Sequence, residues 1–364
     1  MKIIMTGGGT GGHIYPAIAI ADEIISRRPD ADILFLGTEK GLEKTLVPEN
    51  GYPIKFIKAS GLNRKKLLRN IKVLSEVLGG ISEAKAILKV FKPDIVIGTG
   101  GYVCGPVALA AKKMGARVFI HEQNAFPGIT NKLLAKHAEK IFLGFEEASG
   151  SFKEKSKLVY SGNPVRKDFF GSDREKAREA LGISRESFMI LSFGGSQGAE
   201  RINSVMTEVS TVFSGLSGIF VIFVTGKKHY EKVSDSLRGI KTASSGNIQV
   251  LPYMDAAALY LSACDIVISR AGAITVSEIS VCGKPAILIP SPNVTGNHQF
   301  FNAKVLADRG GAVLIEEKDL NAENLIDILL KMKNDRAILD KMAEVNKKVM
   351  ESRAVDAICE NIGI

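Results

Sequence analysis

Five short stretches of this chain set polar or titratable side chains among glycines or at the end of an apolar run, where backbone can approach a ligand. His13 closes the run Gly7-Gly8-Gly9-Thr10-Gly11-Gly12-His13. An imidazole changes charge near neutral pH, so a histidine there is a candidate general base, although a lone histidine often caps or packs instead. Gly98-Thr99-Gly100-Gly101 and His121-Glu122-Gln123-Asn124 follow two further apolar runs. Four polar side chains in a row are costly in a core and natural in a site. Gly194-Gly195-Ser196-Gln197-Gly198-Ala199 offers backbone N–H groups and the Ser196 hydroxyl to a phosphate.

The fifth stretch, Asp265 to Glu278, reads DIVISRAGAITVSE. Ile266–Ser269 is β-forming and Arg270-Ala271-Gly272 turns, after which Ala273, Ile274, Thr275, Val276, Ser277 and Glu278 enter a helix. A helix start gathers unpaired N–H groups and about half a positive charge, which suits a phosphate. Glu278, one turn in, is placed to accept hydrogen bonds from a sugar hydroxyl. The competing reading is a capping box, Thr275-x-x-Glu278, with the carboxylate returning to its own helix start. Each loop taken singly reads better as a tight β–α turn, but five of them at strand ends favour a ligand.

Gly7-x-Gly9-x-x-Gly12 also matches the dinucleotide fingerprint, which wants an acid at the end of the second strand. That strand ends Leu36-Gly37-Thr38, so a nicotinamide cofactor is not expected. Asp30-Ala31-Asp32 has a metal-binding spacing but precedes its strand, at the wrong end of the sheet. No metal and no cofactor are expected.

The elements that must position these residues alternate strand and helix. Strands are expected at Lys2–Met5, Ile33–Leu36, Ile54–Phe56, Ile95–Ile97, Val118–Ile120 and Ile141–Leu143, with a first helix from about Pro16 to Ser26. The second half repeats the plan at Met189–Phe193, Ile219–Val224, Ile248–Leu251, Ile266–Ser269, Ala286–Ile289 and Val313–Ile315. The fold class is therefore α/β, with two Rossmann-like doubly wound parallel-sheet domains facing a cleft. The turn-forming Ser161-Gly162-Asn163-Pro164 suits the join, giving domains 1–162 and 163–349. The last helix, about 350–364, is free to pack back on the first.

At 364 residues, with 45% hydrophobic and 24% charged residues, the composition is that of an ordinary globular protein of two domains. Apolar runs are too short to span a bilayer, and Met1–Met5 reads as a strand, not a signal peptide. Cys104, Cys264, Cys282 and Cys359 are scattered, as buried thiols of a reducing cytoplasm would be. The net charge of +9 lies wholly in residues 1–162, where 24 Lys and Arg face 15 Asp and Glu. Such asymmetry points to an anionic partner for the first half, nucleic acid or a membrane surface. No aromatic platform accompanies the basic stretch, which disfavours nucleic acid.

Taken in order, GGGTGGHIYP at 7–16, GTGGYVCGP at 98–106, HEQN at 121–124, GNPVR at 162–166, GGSQGA at 194–199 and RAGAITVSE at 270–278 resemble the MurG glycosyltransferase family. The resemblance runs nearly the whole chain and implies the GT-B fold. It implies transfer of N-acetylglucosamine from UDP-N-acetylglucosamine to a polyprenyl-pyrophosphate-linked muramyl peptide in peptidoglycan synthesis. By the same resemblance Thr10, Gly11 and Gly12 border the sugar and diphosphate, and Asn124 meets the N-acetylglucosamine. Arg166 and Ser196 are phosphate-side contacts, and Met254 lies where backbone reads the uracil. Ala273 to Glu278 cradle ribose and diphosphate, and Gln299 meets a sugar hydroxyl. His298 departs from the family, which commonly has a second Gln there.

His13 is the expected base for the acceptor 4-hydroxyl, with Glu122 next in line, and one displacement inverts the anomeric centre. A sugar-nucleotide epimerase, a transferase to a soluble acceptor, or a non-catalytic UDP-sugar sensor would use the same loops. Peripheral docking on the cytoplasmic face of an anionic membrane is expected through residues about 62–92. There Leu67, Ile71, Leu74 and Leu78 recur at helical spacing beside Arg64, Lys65, Lys66, Arg69 and Lys72.

Overall fold

The computed structural model describes residues 1–60, 69–171, 173–195, 197–238, 246–349 and 353–364, with the side chains of 69–74, 295 and 349 outside the description. Among the described residues are two parallel sheets. The first holds β1 (Lys2–Thr6), β2 (Asp32–Gly37), β3 (Ile54–Phe56), β4 (Ile95–Gly98), β5 (Arg117–Glu122), β6 (Lys140–Leu143) and β7 (Leu158–Tyr160). The second holds β8 (Phe188–Phe193), β9 (Ile219–Val224), β10 (Ile248–Leu251), β11 (Ile266–Ser269), β12 (Ala286–Leu288) and β13 (Ala312–Leu314). Strand order is β3-β2-β1-β4-β5-β6-β7 in one and β10-β9-β8-β11-β12-β13 in the other. Both are the doubly wound order, in which the chain reverses direction across the sheet between its first and fourth strands. Each central strand is a run of Ile, Val, Leu or Phe because helices cover both faces.

β7 is the strand that apolar patterning does not reveal. It has three residues, leads out of Lys155 and Lys157, and sits at the edge with Tyr160 exposed. The first helix also begins earlier than expected, at Gly11, and runs to Arg27. Glycine is a poor helix former, so sequence places the start at Pro16. Two contacts override that preference: Thr99 Oγ1 donates to the His13 carbonyl at 2.7 Å, and His13 Nδ1 bonds the Gly8 carbonyl at 3.0 Å.

The first compact unit is Met1–Arg166 with Ser352–Ile364, and the second is Lys167–Glu351. The join therefore falls four residues beyond 162. Asn163 holds the segment back by donating its amide to the Gln123 carbonyl at 3.0 Å. The C-terminal helix Ala354–Ile362 buries Val355, Ile358, Cys359 and Ile362 against Ile14, Ala17, Ile18 and Phe35 in the core of the first unit. Buried Glu23 fastens it there, accepting from Arg27 at 3.0 Å and from Arg353 at 2.7 Å. No helix of the described residues is long and apolar enough to cross a membrane.

The second unit is pinned at the amino ends of its strands by a buried ion pair. Arg178 donates to Asp265 at 2.6 Å and to the carbonyls of Ala263, Ser184, Arg185 and Ser187, while the Met189 amide donates to the same carboxylate at 2.7 Å. Burial raises the Asp265 carboxyl, but the Met189 amide, Arg178 and Arg174 outweigh it and hold the group below the usual carboxylate range. Stability from such a lowered group is present above its unfolded value and is lost as pH falls toward the folded one. Asp265→Ala, which strands Arg178 in the core, should cost about 3–5 kcal/mol of second-unit stability. Urea unfolding at pH 7 and at acid pH checks this: the wild type should lose stability on acidification and the variant should lose less.

Candidate functional site

In each sheet the loops beside the reversal carry the glycine motifs. Those after β1 and β4 adjoin in the first unit, and those after β8 and β11 adjoin in the second. Ligands of open α/β sheets bind at such a point.

In the first unit a residue that sequence reasoning missed holds the glycine loop. Glu43, 1% exposed, accepts the Gly9 amide at 2.9 Å, the Thr38 amide at 2.9 Å and the Thr38 hydroxyl at 2.8 Å. Its one signal is an acid five residues beyond a threonine-ended strand, too common a pattern to act on. His13 is the third residue of its helix. Because a carbonyl only accepts, the bond from Nδ1 to Gly8 O puts the ring proton on Nδ1 and the basic lone pair on Nε2. Gly100 leaves room for that ring: a Cβ there would lie 2.8 Å from His13 Cδ2 and 3.0 Å from Nε2, at a backbone φ of +109°. Thr10, Gly11 and Gly12 form the exposed or half-buried mouth of this loop.

In the polar run that closes β5 and continues past it, three residues are buried and one, Asn124, is half-buried. His121 is buried, its Nε2 on the Gly162 carbonyl at 3.0 Å and its Nδ1 accepting from Gln123 at 3.1 Å; burial pushes its pKa down to about 4, so it is neutral. Gln123 also donates to the Thr99 carbonyl at 2.7 Å. Glu122 accepts from the Asn124 amide (2.9 Å) and side chain (3.0 Å), from the Gly128 amide (3.0 Å) and from Asn131 (2.9 Å). With four donors around a 1%-exposed carboxylate it orders the loop and does not serve as the reserve base that sequence suggests. Asn124 is half-buried and presented by that carboxylate. Arg166 belongs to this first unit, against its expected place in the second domain, and lies 5.4 Å over the Tyr15 ring.

In the second unit the helix Ala273–Val281 has Gly272 at its N-cap. Thr275 and Glu278 are its third and sixth residues, so the capping box is excluded. Ala273, Ile274 and Val276 face the core, and the Ser277 hydroxyl donates to the Ala273 carbonyl at 2.9 Å. What this start offers a ligand is backbone N–H groups with the half-buried Thr275 and Glu278 side chains, one turn apart on one face. Arg270 fixes the preceding turn: it donates to the Ile289 and Pro290 carbonyls at 3.2 Å and pairs with Glu317. Asn302 donates to the Ala271 carbonyl at 3.1 Å. Gln299 accepts the Ser291 amide at 2.8 Å, which aims its carboxamide and leaves its N–H groups to donate; His298 precedes it as the first residue of the same helix.

Gly198 packs backbone on backbone, since a Cβ there would meet the Thr225 carbonyl at 2.0 Å. Ser196 lies outside the described residues. Met254 is half-buried in the loop after β10, and Gln299 follows β12; these are the outer two of five adjacent strands, about 19 Å apart at ~4.8 Å per strand. Among the described residues no group of three His, Cys, Asp or Glu is gathered as metal ligands would be.

Residues 3–143 match the glycosyltransferase family 28 N-terminal domain, and residues 189–358 match the glycosyltransferase family 28 C-terminal domain. The UDP-N-acetylglucosamine--N-acetylmuramyl-(pentapeptide) pyrophosphoryl-undecaprenol N-acetylglucosamine transferase of Acetivibrio thermocellus is 45% identical over 100% of this chain and 97% of its own. The protein of the same name from Alkaliphilus metalliredigens is 43% identical over 98% and 97%. Among solved structures, Acinetobacter baumannii MurG is similar with a TM-score of 0.78 at 28% identity, covering 99% of each chain. A UDP-GlcNAc 2-epimerase from Neisseria meningitidis shares the fold alone, at 14% identity and a TM-score of 0.69 over 100% and 99%.

Removing the carboxylate in Glu122→Ala leaves buried amide donors without acceptors and should cost about 3 kcal/mol of first-unit stability. Chemical denaturation checks this. A variant as stable as the wild type would show that the carboxylate does not order the loop.

Proposed function

The chain belongs to glycosyltransferase family 28, in its MurG group, and from that premise we propose that it transfers N-acetylglucosamine from UDP-N-acetylglucosamine to N-acetylmuramyl-(pentapeptide) pyrophosphoryl-undecaprenol. The observation that carries the reading is identity of 45% along the whole chain to a relative of that name. Glycine loops at both sheet reversals support it. The epimerase alternative has only likeness of fold behind it.

The donor lies along the carboxyl edge of the second sheet. Backbone at Met254 meets the uracil, and the amides opening Ala273–Val281 meet the diphosphate with Ser196. Glu278 takes the ribose hydroxyls, and Gln299 donates to a sugar hydroxyl. Thr10, Gly11, Gly12, Asn124 and Arg166, all in the first unit, are the further substrate contacts that the family resemblance implies. In the reaction His13 Nε2 takes the proton of the acceptor 4-hydroxyl, whose oxygen bonds the anomeric carbon. The bond from that carbon to the UDP oxygen breaks, and its electron pair leaves on the diphosphate. One displacement inverts the centre and gives a β-linked product. Helix-start amides and Arg166 stabilise the departing charge.

The first unit docks peripherally on the cytoplasmic face of an anionic membrane. Of the expected stripe, Leu67 lies outside the described residues, as do the side chains of Ile71 and Leu74. Leu78 is 62% exposed, and it shares one stripe of the helix Arg69–Phe91 with exposed Lys85 and Lys89. An apolar side chain left in water on the same stripe as lysines suits a bilayer surface better than a core. Arg64, Lys65 and Lys66 also lie outside the described residues, and the side chains of Arg69 and Lys72 are not described; they enter from sequence alone.

UDP release measured with and without polyprenyl-pyrophosphoryl muramyl peptide tests the reaction. Release should require the acceptor; consumption of donor without acceptor would establish an epimerase or hydrolase, and UDP binding without release a sensor. In that assay His13→Ala should lose ~10²–10⁴-fold in turnover at unchanged donor affinity. Glu278→Ala should weaken UDP by about 1.5–3 kcal/mol in calorimetric titration, with its melting temperature kept. Sedimentation with anionic vesicles should show binding that falls with salt and is mostly lost when Arg64, Lys65, Lys66, Arg69 and Lys72 become Gln. Failure of the wild type to bind at low salt would end the docking reading.

A further inference from the structure

A single peptide group, the one joining Gly8 to Gly9, lies between two side chains of the first unit. Its N–H donates to Glu43 Oε2 at 2.9 Å, and its carbonyl accepts from His13 Nδ1 at 3.0 Å. Glu43 is buried, its other oxygen is taken up by the amide and hydroxyl of Thr38, and among the described residues no cation pairs with it. A full negative charge is thus held in the core, directed at one amide of the loop under the histidine.

We propose that Glu43 is a positioning residue for the transfer: through the Gly8–Gly9 peptide its carboxylate keeps the ring proton of His13 on Nδ1 and stabilises the imidazolium formed when Nε2 takes the acceptor's proton. A carboxylate on an amide N–H polarises the peptide and puts more negative charge on its oxygen, and hydrogen bonds in such a chain strengthen one another. That oxygen then holds Nδ1–H more strongly in the cation than in the neutral ring. The arrangement does the work of a carboxylate bonded directly to a catalytic histidine, with one peptide interposed. The carboxylate takes no proton; Nε2 gains one and Nδ1 keeps its own.

The geometry is specific to a carboxylate. A glutamine at 43 would turn its NH₂ either on the Gly9 amide or on the Thr38 amide, donor against donor. Space is closed around it as well, since a Cβ at Gly8, Gly37 or Gly41 would fall within 2.6 Å of a Glu43 side-chain atom. Other groups packed about the relay are Thr10, whose hydroxyl is 3.4 Å from Nδ1, and Tyr102, whose hydroxyl is 3.4 Å from that of Thr38. Gln123 Oε1 stands across Gly100 from the ring, Tyr15 carries Arg166 over its face, and Cys104, His121 and Glu122 lie beneath the adjoining loops. Burial pushes His121 down to about 4 and Cys104 up to about 12, so neither titrates near neutrality to confuse the readout.

The inference rests on His13 as the base, and its test is chosen to be separable from that assignment. Full-length protein labelled with ¹⁵N is titrated by NMR without substrate. The neutral ring should be the Nδ1–H tautomer, and the Gly9 amide resonance should move with the His13 titration. Loss of the negative charge in Glu43→Gln removes stabilisation of the cation, so the His13 midpoint should fall by roughly half a unit to one unit. The acid limb of the turnover profile should move down with it, and turnover at its plateau should drop about tenfold. If that variant does not fold, the wild-type titration still decides. A Gly9 amide indifferent to His13, an Nε2–H tautomer, or a folded Glu43→Gln with an unchanged midpoint would overturn the relay. Turnover retained in His13→Ala with the NMR result intact would instead overturn the base assignment and leave the coupling standing.

Discussion

Where a parallel strand leaves its sheet, the ladder stops pairing backbone groups, and at a covered strand end there is little water to replace it. This chain meets that demand with a few charged and amide side chains, and its loops take their shape from them. Glu43 gathers the amides of Gly9 and Thr38, Glu122 those of Asn124 and Gly128, and Arg270 the carbonyls of Ile289 and Pro290. Arg178 and Asp265 do the same at the opposite strand ends. A single such group reaches two elements at once, so removing it loosens both.

The demand also accounts for the glycines. Backbone drawn this tightly together leaves no room for side chains: Gly100 admits the His13 ring and Gly198 admits the Thr225 carbonyl. Polar side chains therefore divide into those that hold backbone and those that the proposed function assigns to a ligand. His121, Gln123 and Ser277 belong to the first kind. His13, Thr275, Glu278 and Gln299 are the ones that the proposed transfer assigns to the second.

The fold was legible because twelve of its strands show as short runs rich in Ile, Val, Leu and Phe, and burial on both faces makes the central ones continuous. β7 escaped because three residues at an edge carry too little pattern. The start of the first helix escaped because propensity counts glycine against a helix, whereas the fold holds Gly11 and Gly12 helical through Thr99 and Gly8. Most of the residues that the proposed function assigns to ligands stood out in or beside the glycine motifs. The side chains that aim them did not: Glu43 acts on a loop 34 residues away and Arg270 on a carboxylate 47 residues away, and neither separation leaves a local trace. Glu122 was visible but misread, since a titratable group beside a site looks the same in sequence whether it faces a ligand or four amides.

The last helix of the chain completes the core of the first unit, and that fixes an order in time as the polypeptide is made. The whole of the second unit, Lys167–Glu351, is synthesised between the two parts of the first. Ile14, Ala17 and Ile18 consequently wait, one flank bare, until Val355, Ile358 and Ile362 leave the ribosome. At about 5–20 residues per second the delay for the 185-odd intervening residues is roughly 10–40 s, far longer than a local helix or hairpin takes to form. The nascent first unit must endure that interval with an apolar strip uncovered, a strip that a chaperone at the tunnel exit could cover.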